Sequence, residues 1–81
     1  MIVRLCSSGG AYEVIPDKQL KLNLSKLKDK FEIVVETPSV VIIKDKFEVS
    51  IFKNGKLLIK RCDDKEKAEE QAKKIYSKLD V

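Results

Sequence analysis

Residues 47–60, FEVSIFKNGKLLIK, decide the fold, because two apolar runs are joined there by a Lys-Asn-Gly loop ending at Gly55. Alternation on both sides of such a loop is typical of a β-hairpin. A two-residue Asn-Gly turn would set Val49 against Lys60 and mix the faces. A three-residue loop with Gly55 in the left-handed region places Val49 beside Ile59 on a uniformly apolar face, so we expect this register.

The opposite face of the hairpin is predicted to be mixed, with apolar side chains among charges. Apolar groups on an exposed sheet face are candidates for contact with another protein. The residues expected to form a protein-binding patch are Val34, Phe52, Leu58, Lys56 and Lys60. The glutamates expected on the same face would repel a phosphate backbone. They are Glu32, Glu36 and Glu48.

The segments before the hairpin predict further strands and one short helix. Residues 1–6 and 11–15 are apolar runs separated by Ser7-Ser8-Gly9-Gly10, which indicates a turn. Residues 40–43 are an uninterrupted apolar run that suits an interior strand. Asn23 is placed to cap a helix of about two turns.

The period changes to two after that short helix. In residues 31–36, Ile33 and Val35 alternate with Glu32, Val34 and Glu36. We therefore expect Ile33 and Val35 on the core side of a strand.

The C-terminal segment predicts an α-helix that covers the apolar sheet face. Asp63, with Glu66 three residues later, has the spacing of a capping box worth about 1 kcal/mol. The apolar residues that follow at helical spacing form one stripe. They are Ala68, Ala72, Ile75, Tyr76 and Leu79.

Length and composition favour one small domain, residues 1–81, and exclude several enzyme classes. The chain of 81 residues has no histidine, so catalysis by Ser-His-Asp or Cys-His arrangements is ruled out. Lysine and arginine number 17 against 13 acidic residues. The abundance of Lys, Glu and Ile suits a heat-adapted protein. We expect a cytoplasmic protein, because neither a signal peptide nor a membrane span is evident.

Two cysteines are the candidates for a reactive thiol. Cys6 ends an apolar run, and Cys62 is expected near the surface beside Arg61, whose charge favours a thiolate. The alternative for Cys6 is a small apolar residue at the end of a strand. Two cysteines do not make a zinc site, and Gly9-Gly10 lacks the continuation of a phosphate-binding loop, so we expect neither metal nor cofactor.

The predicted elements over residues 22–79 run helix, three strands, hairpin and capped helix, with Phe52–Lys56 before the helix. This order resembles one half-repeat of the TATA-box-binding protein fold. In that family two repeats form a saddle on DNA, and phenylalanines wedge between base steps. Phe52 falls at one wedge position, whereas Thr37 stands at the other. The resemblance implies a homodimer that binds nucleic acid.

Short stretches over nearly the whole chain carry a second resemblance. They are Leu5-Cys6 and residues 11–14, 22–24, 49–52, 54–60 and 72–76. They look like the carboxyl-terminal extension of some ThiF/HesA/MoeB-type adenylyltransferases, which activate ubiquitin-like sulfur carriers with ATP. Ser7-Ser8 replaces an expected Gly-Arg, Lys60-Arg61 replaces a Lys-Gly, and the nucleotide-binding loop of the activating domain is missing. The resemblance implies an accessory role beside such an enzyme or its carrier.

These observations predict an α+β domain, with an antiparallel sheet of about five strands and helices on one face. The function we expect is a non-catalytic accessory domain that binds a protein partner, an adenylyltransferase or a sulfur carrier. The alternatives are a homodimer of the TATA-box-binding-protein type that binds nucleic acid, and a sulfur-transfer accessory that uses Cys6 or Cys62.

Overall fold

The structure is a computed structural model that describes residues 1–6, 10–18 and 20–79. The elements, in chain order, are β1 (Ile2–Leu5), β2 (Ala11–Ile15), a 3₁₀ helix (Leu24–Asp29), β3 (Glu32–Glu36), β4 (Val40–Lys44), β5 (Glu48–Phe52), β6 (Leu57–Lys60) and α1 (Lys65–Lys78). The predicted α+β class is confirmed. The turn predicted over residues 7–10 falls mostly outside the described residues.

All strands join one antiparallel sheet in the order β1-β2-β6-β5-β4-β3. It has six strands rather than about five. The sequence neighbours β5 and β6 pair in the middle of the sheet. Strand β2 pairs with the other side of β6, although the two strands are far apart in the sequence. Strands β1 and β3 therefore form the two edges.

The predicted hairpin register is confirmed. Val49 pairs with Ile59 and Ile51 with Leu57, and Gly55 has a φ of +98°. A Cβ on Gly55 would lie 2.9 Å from the Leu20 side chain, so this position also lacks space. The conformation and the crowding both require glycine, and this fixes which hairpin residues face the core.

The core lies between the apolar face of the sheet, called the inner face, and the two helices. Helix α1 packs on β1 and β2, and the 3₁₀ helix lies against β3. The fully buried side chains of this core come from six different strands or helices. They include Val14, Leu27, Val41, Ile43, Val49, Ile51, Leu57, Ile59 and Ile75.

Both helix starts are capped by a polar side chain, but one cap differs from the prediction. The Asn23 side chain accepts a hydrogen bond from Ser25 N–H at the start of the 3₁₀ helix, as expected. For α1 the expected cap Asp63 was wrong by one residue. Asp64 has extended backbone and its carboxylate accepts from Glu66 N–H, so the helix starts at Lys65.

The apolar stripe of α1 is confirmed, and polar contacts fix the helix at two points. Ala68, Ala72, Ile75 and Leu79 are buried, and Tyr76 is half-buried.

The first polar contact lies at the turn between β4 and β5. There Asp45 accepts hydrogen bonds from Gln71 Nε2 at 3.0 Å and from Lys74 Nζ at 2.9 Å. At the other contact the Tyr76 hydroxyl donates to the Gly55 carbonyl at 2.5 Å. Burial raises the pKa of Tyr76 to about 12, which keeps this hydroxyl a donor at neutral pH.

A β-bulge in β3 overturns the simple alternation expected there. Ile33 pairs with Ile43 on the inner face, but Val35 pairs with Ile42, so the register shifts at Val34. The expectation that Val35 faces the core was wrong, because the inserted residue moves it to the opposite face.

The same bulge also relocates Glu36, which was expected on the outer face. It pairs with Val41 of the inner face, and its carboxylate lies 3.4 Å from Lys28 of the 3₁₀ helix. Glu36 therefore belongs to the helix side of the sheet.

Candidate protein-binding face

The face of the sheet opposite the helices, called the outer face, carries a row of side chains across all strands. The pairing registers align this row through residues on six neighbouring strands. In sheet order the row is Val35, Ile42, Ser50, Leu58, Glu13 and Arg4. Its β3 end is apolar and its β1 end is charged, and Ser50 between them is buried.

A second row of the outer face contains Phe52. Val40 pairs with Phe52, and Phe52 N–H donates to the Lys56 carbonyl at 2.9 Å. The Lys56 ammonium lies 5.8 Å from the centroid of the Phe52 ring, within range of a cation–π interaction. Phe52 and Leu58 are both half-buried, as their predicted place on this face requires. Together with Val35, Val40 and Ile42 they form what we call the outer patch.

A third row borders the outer patch with alternating charges. Glu32 pairs with Lys44, Lys44 with Glu48, and Glu48 with Lys60. The Lys60 ammonium lies 3.9 Å from the Glu48 carboxylate, and both side chains remain well exposed. The alternation leaves this border close to neutral, so it offers either sign of charge to a partner.

A second border of the patch, on the β2 side of Leu58, is a small ion cluster around Glu13. Lys56 Nζ lies 2.6 Å and Arg4 Nε 2.9 Å from its two carboxylate oxygens. The hydrogen bond from Lys56, and then that from Arg4, lowers the pKa of the Glu13 carboxyl. The Lys56 and Arg4 charges are thus partly balanced within the domain.

The structure brings together four of the five predicted patch residues, Phe52, Leu58, Lys56 and Lys60. Val34 is the inserted residue of the bulge and is 48% exposed, at the margin of the face. Sequence reasoning missed Val35, Ile42 and Glu13.

The signals for the missed residues were not local. The Glu13 position depends on pairing between β2 and β6, and that of Val35 on the bulge. The apolar run at 40–43 was the one usable signal, because a strand buried on one face must show its alternate residues on the other.

The cysteines occupy different environments. Cys62 was expected near the surface, but it is 1% exposed, and its thiol donates to the Asp64 carbonyl at 3.2 Å. The surface expectation was wrong, because the backbone turns at Arg61, which has a φ of 57°, and directs Cys62 into the core. Cys6 is half-buried at the end of β1, and its N–H donates to the Ala11 carbonyl at 2.8 Å.

In the part of the chain that the structure describes, no group of three or more Cys, Asp or Glu side chains is arranged to hold a metal ion. None of the described helices combines the length and the apolar character needed to cross a membrane.

Comparison with known proteins does not extend this description. No protein-family model, no curated protein and no solved structure matches the chain.

Proposed function

We propose that this chain is a cytoplasmic, non-catalytic accessory domain that binds a partner protein across the outer face of its sheet. The observation that carries the proposal is the outer patch. Both helices pack on the inner face, while Val35 is 44% exposed and Phe52 and Leu58 are half-buried on the outer one. Apolar groups held together on a rigid sheet are suited to contact another protein.

The size of the face agrees with this use. The two longer dimensions of the domain are 28 and 26 Å. A face with these sides is close to the roughly 800 Å² per partner of a standard protein interface. The apolar centre and the charged borders also match the core and rim of such interfaces.

The partner we propose is a ThiF/HesA/MoeB-type adenylyltransferase or the ubiquitin-like sulfur carrier that it activates. The resemblance over residues 5–76 supports this choice. The domain would then act as a docking module for chemistry that the other protein performs.

The test is a titration of the isotopically labelled chain with each purified candidate, followed by NMR. We expect chemical-shift changes centred on Leu58, Phe52 and Ile42 when the partner binds. Leu58→Asp should abolish them, because it places a charge in the patch. Lys67→Asp on the exposed side of α1 is the control and should bind normally. The proposal would be refuted if neither candidate bound the chain, or if both variants lost binding equally.

Nucleic acid is the second candidate, as a ligand of a homodimer. Phe52 lies on an uncovered face with the Lys56 ammonium over its ring, an arrangement that can stack on a base. Glu13, Glu32 and Glu48 on the same face oppose it. Retention on duplex or single-stranded DNA that falls with salt and is lost in Phe52→Ala would favour this candidate over the first.

Sulfur transfer is the third candidate, and it now rests on Cys6, because Cys62 is buried. The reaction needs the Cys6 thiolate as nucleophile near neutral pH. Alkylation by iodoacetamide should then proceed rapidly at pH 7 in the wild type and be lost in Cys6→Ser. An alkylation rate that rises only at about pH 8–9 would exclude this candidate, because that is the range in which an unperturbed thiol ionises.

A further inference from the structure

The two edges of the sheet differ in how well they are protected against pairing with another strand. Strand β3 has the bulge at Val34 and a glutamate at each end, Glu32 and Glu36. Bulges and charges are the usual devices that block an edge. Strand β1 has regular pairing along its whole length and exposes Ile2 at 55% and Leu5 at 59%.

The hydrogen bonds of β1 show which of its backbone groups point away from the sheet. Cys6 N–H donates to the Ala11 carbonyl, so Cys6 belongs to a hydrogen-bonded pair with β2. In an antiparallel ladder such pairs alternate with pairs that exchange no bonds. The N–H and C=O groups of Arg4 and Ile2 therefore point toward β2, and those of Val3 and Leu5 point outward.

We propose that strand β1 pairs antiparallel with β1 of a second copy, which joins two sheets edge to edge into one. An antiparallel strand is self-complementary, because the outward N–H and C=O groups of one copy meet the same groups of the other. Pairing would also cover Ile2 and Leu5, the two most exposed large apolar side chains among the described residues. The short contact predicts a weak dimer that forms with rising concentration.

Among two-fold axes centred on a residue, those at Val3 and at Arg4 pair the greatest length of Ile2–Leu5, and charge selects between these two registers. A two-fold axis at Val3 places the two Val3 residues in a hydrogen-bonded pair and sets Ile2 opposite Arg4 of the second copy. An axis at Arg4 would bring the two Arg4 side chains directly opposite each other, and like charges in that position are destabilising. We therefore place the axis at Val3.

Edge pairing about such an axis keeps the outer faces of both copies on the same side. Two outer patches would then form one longer surface. The dimer does not depend on the proposed function, because it involves the edge strand rather than the patch. Failure of either one leaves the other standing.

Sedimentation velocity from micromolar to millimolar concentration tests the dimer. We expect the mass to rise from 9.2 kDa toward twice that value. Leu5→Lys should keep the chain monomeric throughout, because it puts a charge on an exposed edge position. Val34→Lys makes the same kind of change on the other edge and should dimerise like the wild type. A wild type that stays monomeric, or a dimer lost only in Val34→Lys, would overturn the proposal.

Amide exchange and a filtered NOE test the register in the unaltered chain. The Val3 and Leu5 amides should gain protection from exchange as concentration rises, whereas those of Ile2 and Arg4 should be protected throughout. In a mixed sample of labelled and unlabelled chains, the Ile2 Hα should show an intermolecular NOE to the Arg4 Hα. Within one extended strand these atoms are too far apart for an NOE, at a rise of about 3.3 Å per residue. An NOE between the two Arg4 Hα atoms instead would overturn this register.

Discussion

Strand β6 presents two neighbouring leucines to two different environments. Leu57 is fully buried on the inner face beneath the helices, whereas Leu58 is half-buried on the outer face. The residue type and the strand are the same, so the difference arises from what covers each face. We therefore expect the inner face to contribute more to the stability of the domain than the outer face does.

The largest effect should come from truncating these two leucines in turn. Leu57→Ala removes a fully buried side chain and should cost about 2–5 kcal/mol of unfolding free energy. Leu58→Ala should cost less, about 1 kcal/mol, because part of its side chain is already in contact with water. Urea unfolding measures both costs, provided that the m-value is the same in the variants and the wild type. Equal costs would mean that Leu58 is also a core residue and would contradict the division between the faces.

The second largest effect concerns the loop that assigns hairpin residues to their faces. Gly55→Ala should cost roughly 2–3 kcal/mol, because its φ of +98° is strained for alanine and Leu20 leaves no space. Gly10→Ala is the matched control, since Gly10 also has positive φ but has nothing near its added Cβ. It should cost only about 1 kcal/mol, the strain alone. Urea midpoints that fall equally in both variants would show that crowding by Leu20 contributes nothing.

A smaller loss of stability is expected from removing the charge of a carboxylate, and its size should differ between the helix side and the outer face. The hydrogen bonds from Lys74 and Gln71 lower the pKa of Asp45 below its ordinary 3.8. A lowered folded-state pKa gives stability that is complete above the unfolded value and is lost as pH falls through the folded one. Asp45→Asn should therefore cost about 1 kcal/mol at pH 7 and flatten the loss of stability below pH 4.

Glu13→Gln provides the comparison on the outer face. The Glu13 pKa is lowered as well, but both of its partners have substantially exposed side chains, Lys56 at 41% and Arg4 at 63%. By contrast, one partner of Asp45, Gln71, is buried. The change should alter the stability at pH 7 less than Asp45→Asn does. Thermal unfolding scanned from pH 7 to pH 2 tests both variants. A larger loss in Glu13→Gln would show that the outer face helps to hold the fold.

The alternation of Val49 and Ile51 and the glycine of the loop were enough to predict the central hairpin and its faces. The apolar stripe of α1, which ends at Leu79, could be predicted for the same reason, because its helical spacing lies within one continuous segment. The bulge at Val34 was not, since it depends on how β3 fits against β4. The burial of Cys62 was missed because it follows from the left-handed backbone of Arg61, a conformation that its residue type does not announce.

The candidate face was predictable only where it belongs to the hairpin. Phe52, Leu58, Lys56 and Lys60 come from one local unit, so alternation alone placed them. The rest of the face is assembled by pairing between strands distant in sequence, such as Glu13 opposite Leu58. A single sequence does not specify such pairings, because many strand orders satisfy the same alternation.

The smallest effect should come from the charged border of the outer face. Glu48→Gln removes the partner of Lys60, but the two groups are 3.9 Å apart and about 40% exposed, so water already screens them. The unfolding free energy should change by no more than about 0.5 kcal/mol, and the difference should vanish at high salt. If the border serves a partner rather than the fold, the same variant should weaken partner binding at low salt. A loss of stability comparable to that of Asp45→Asn would show that this row of charges is structural, and the outer face would then be less available for binding than its exposure indicates.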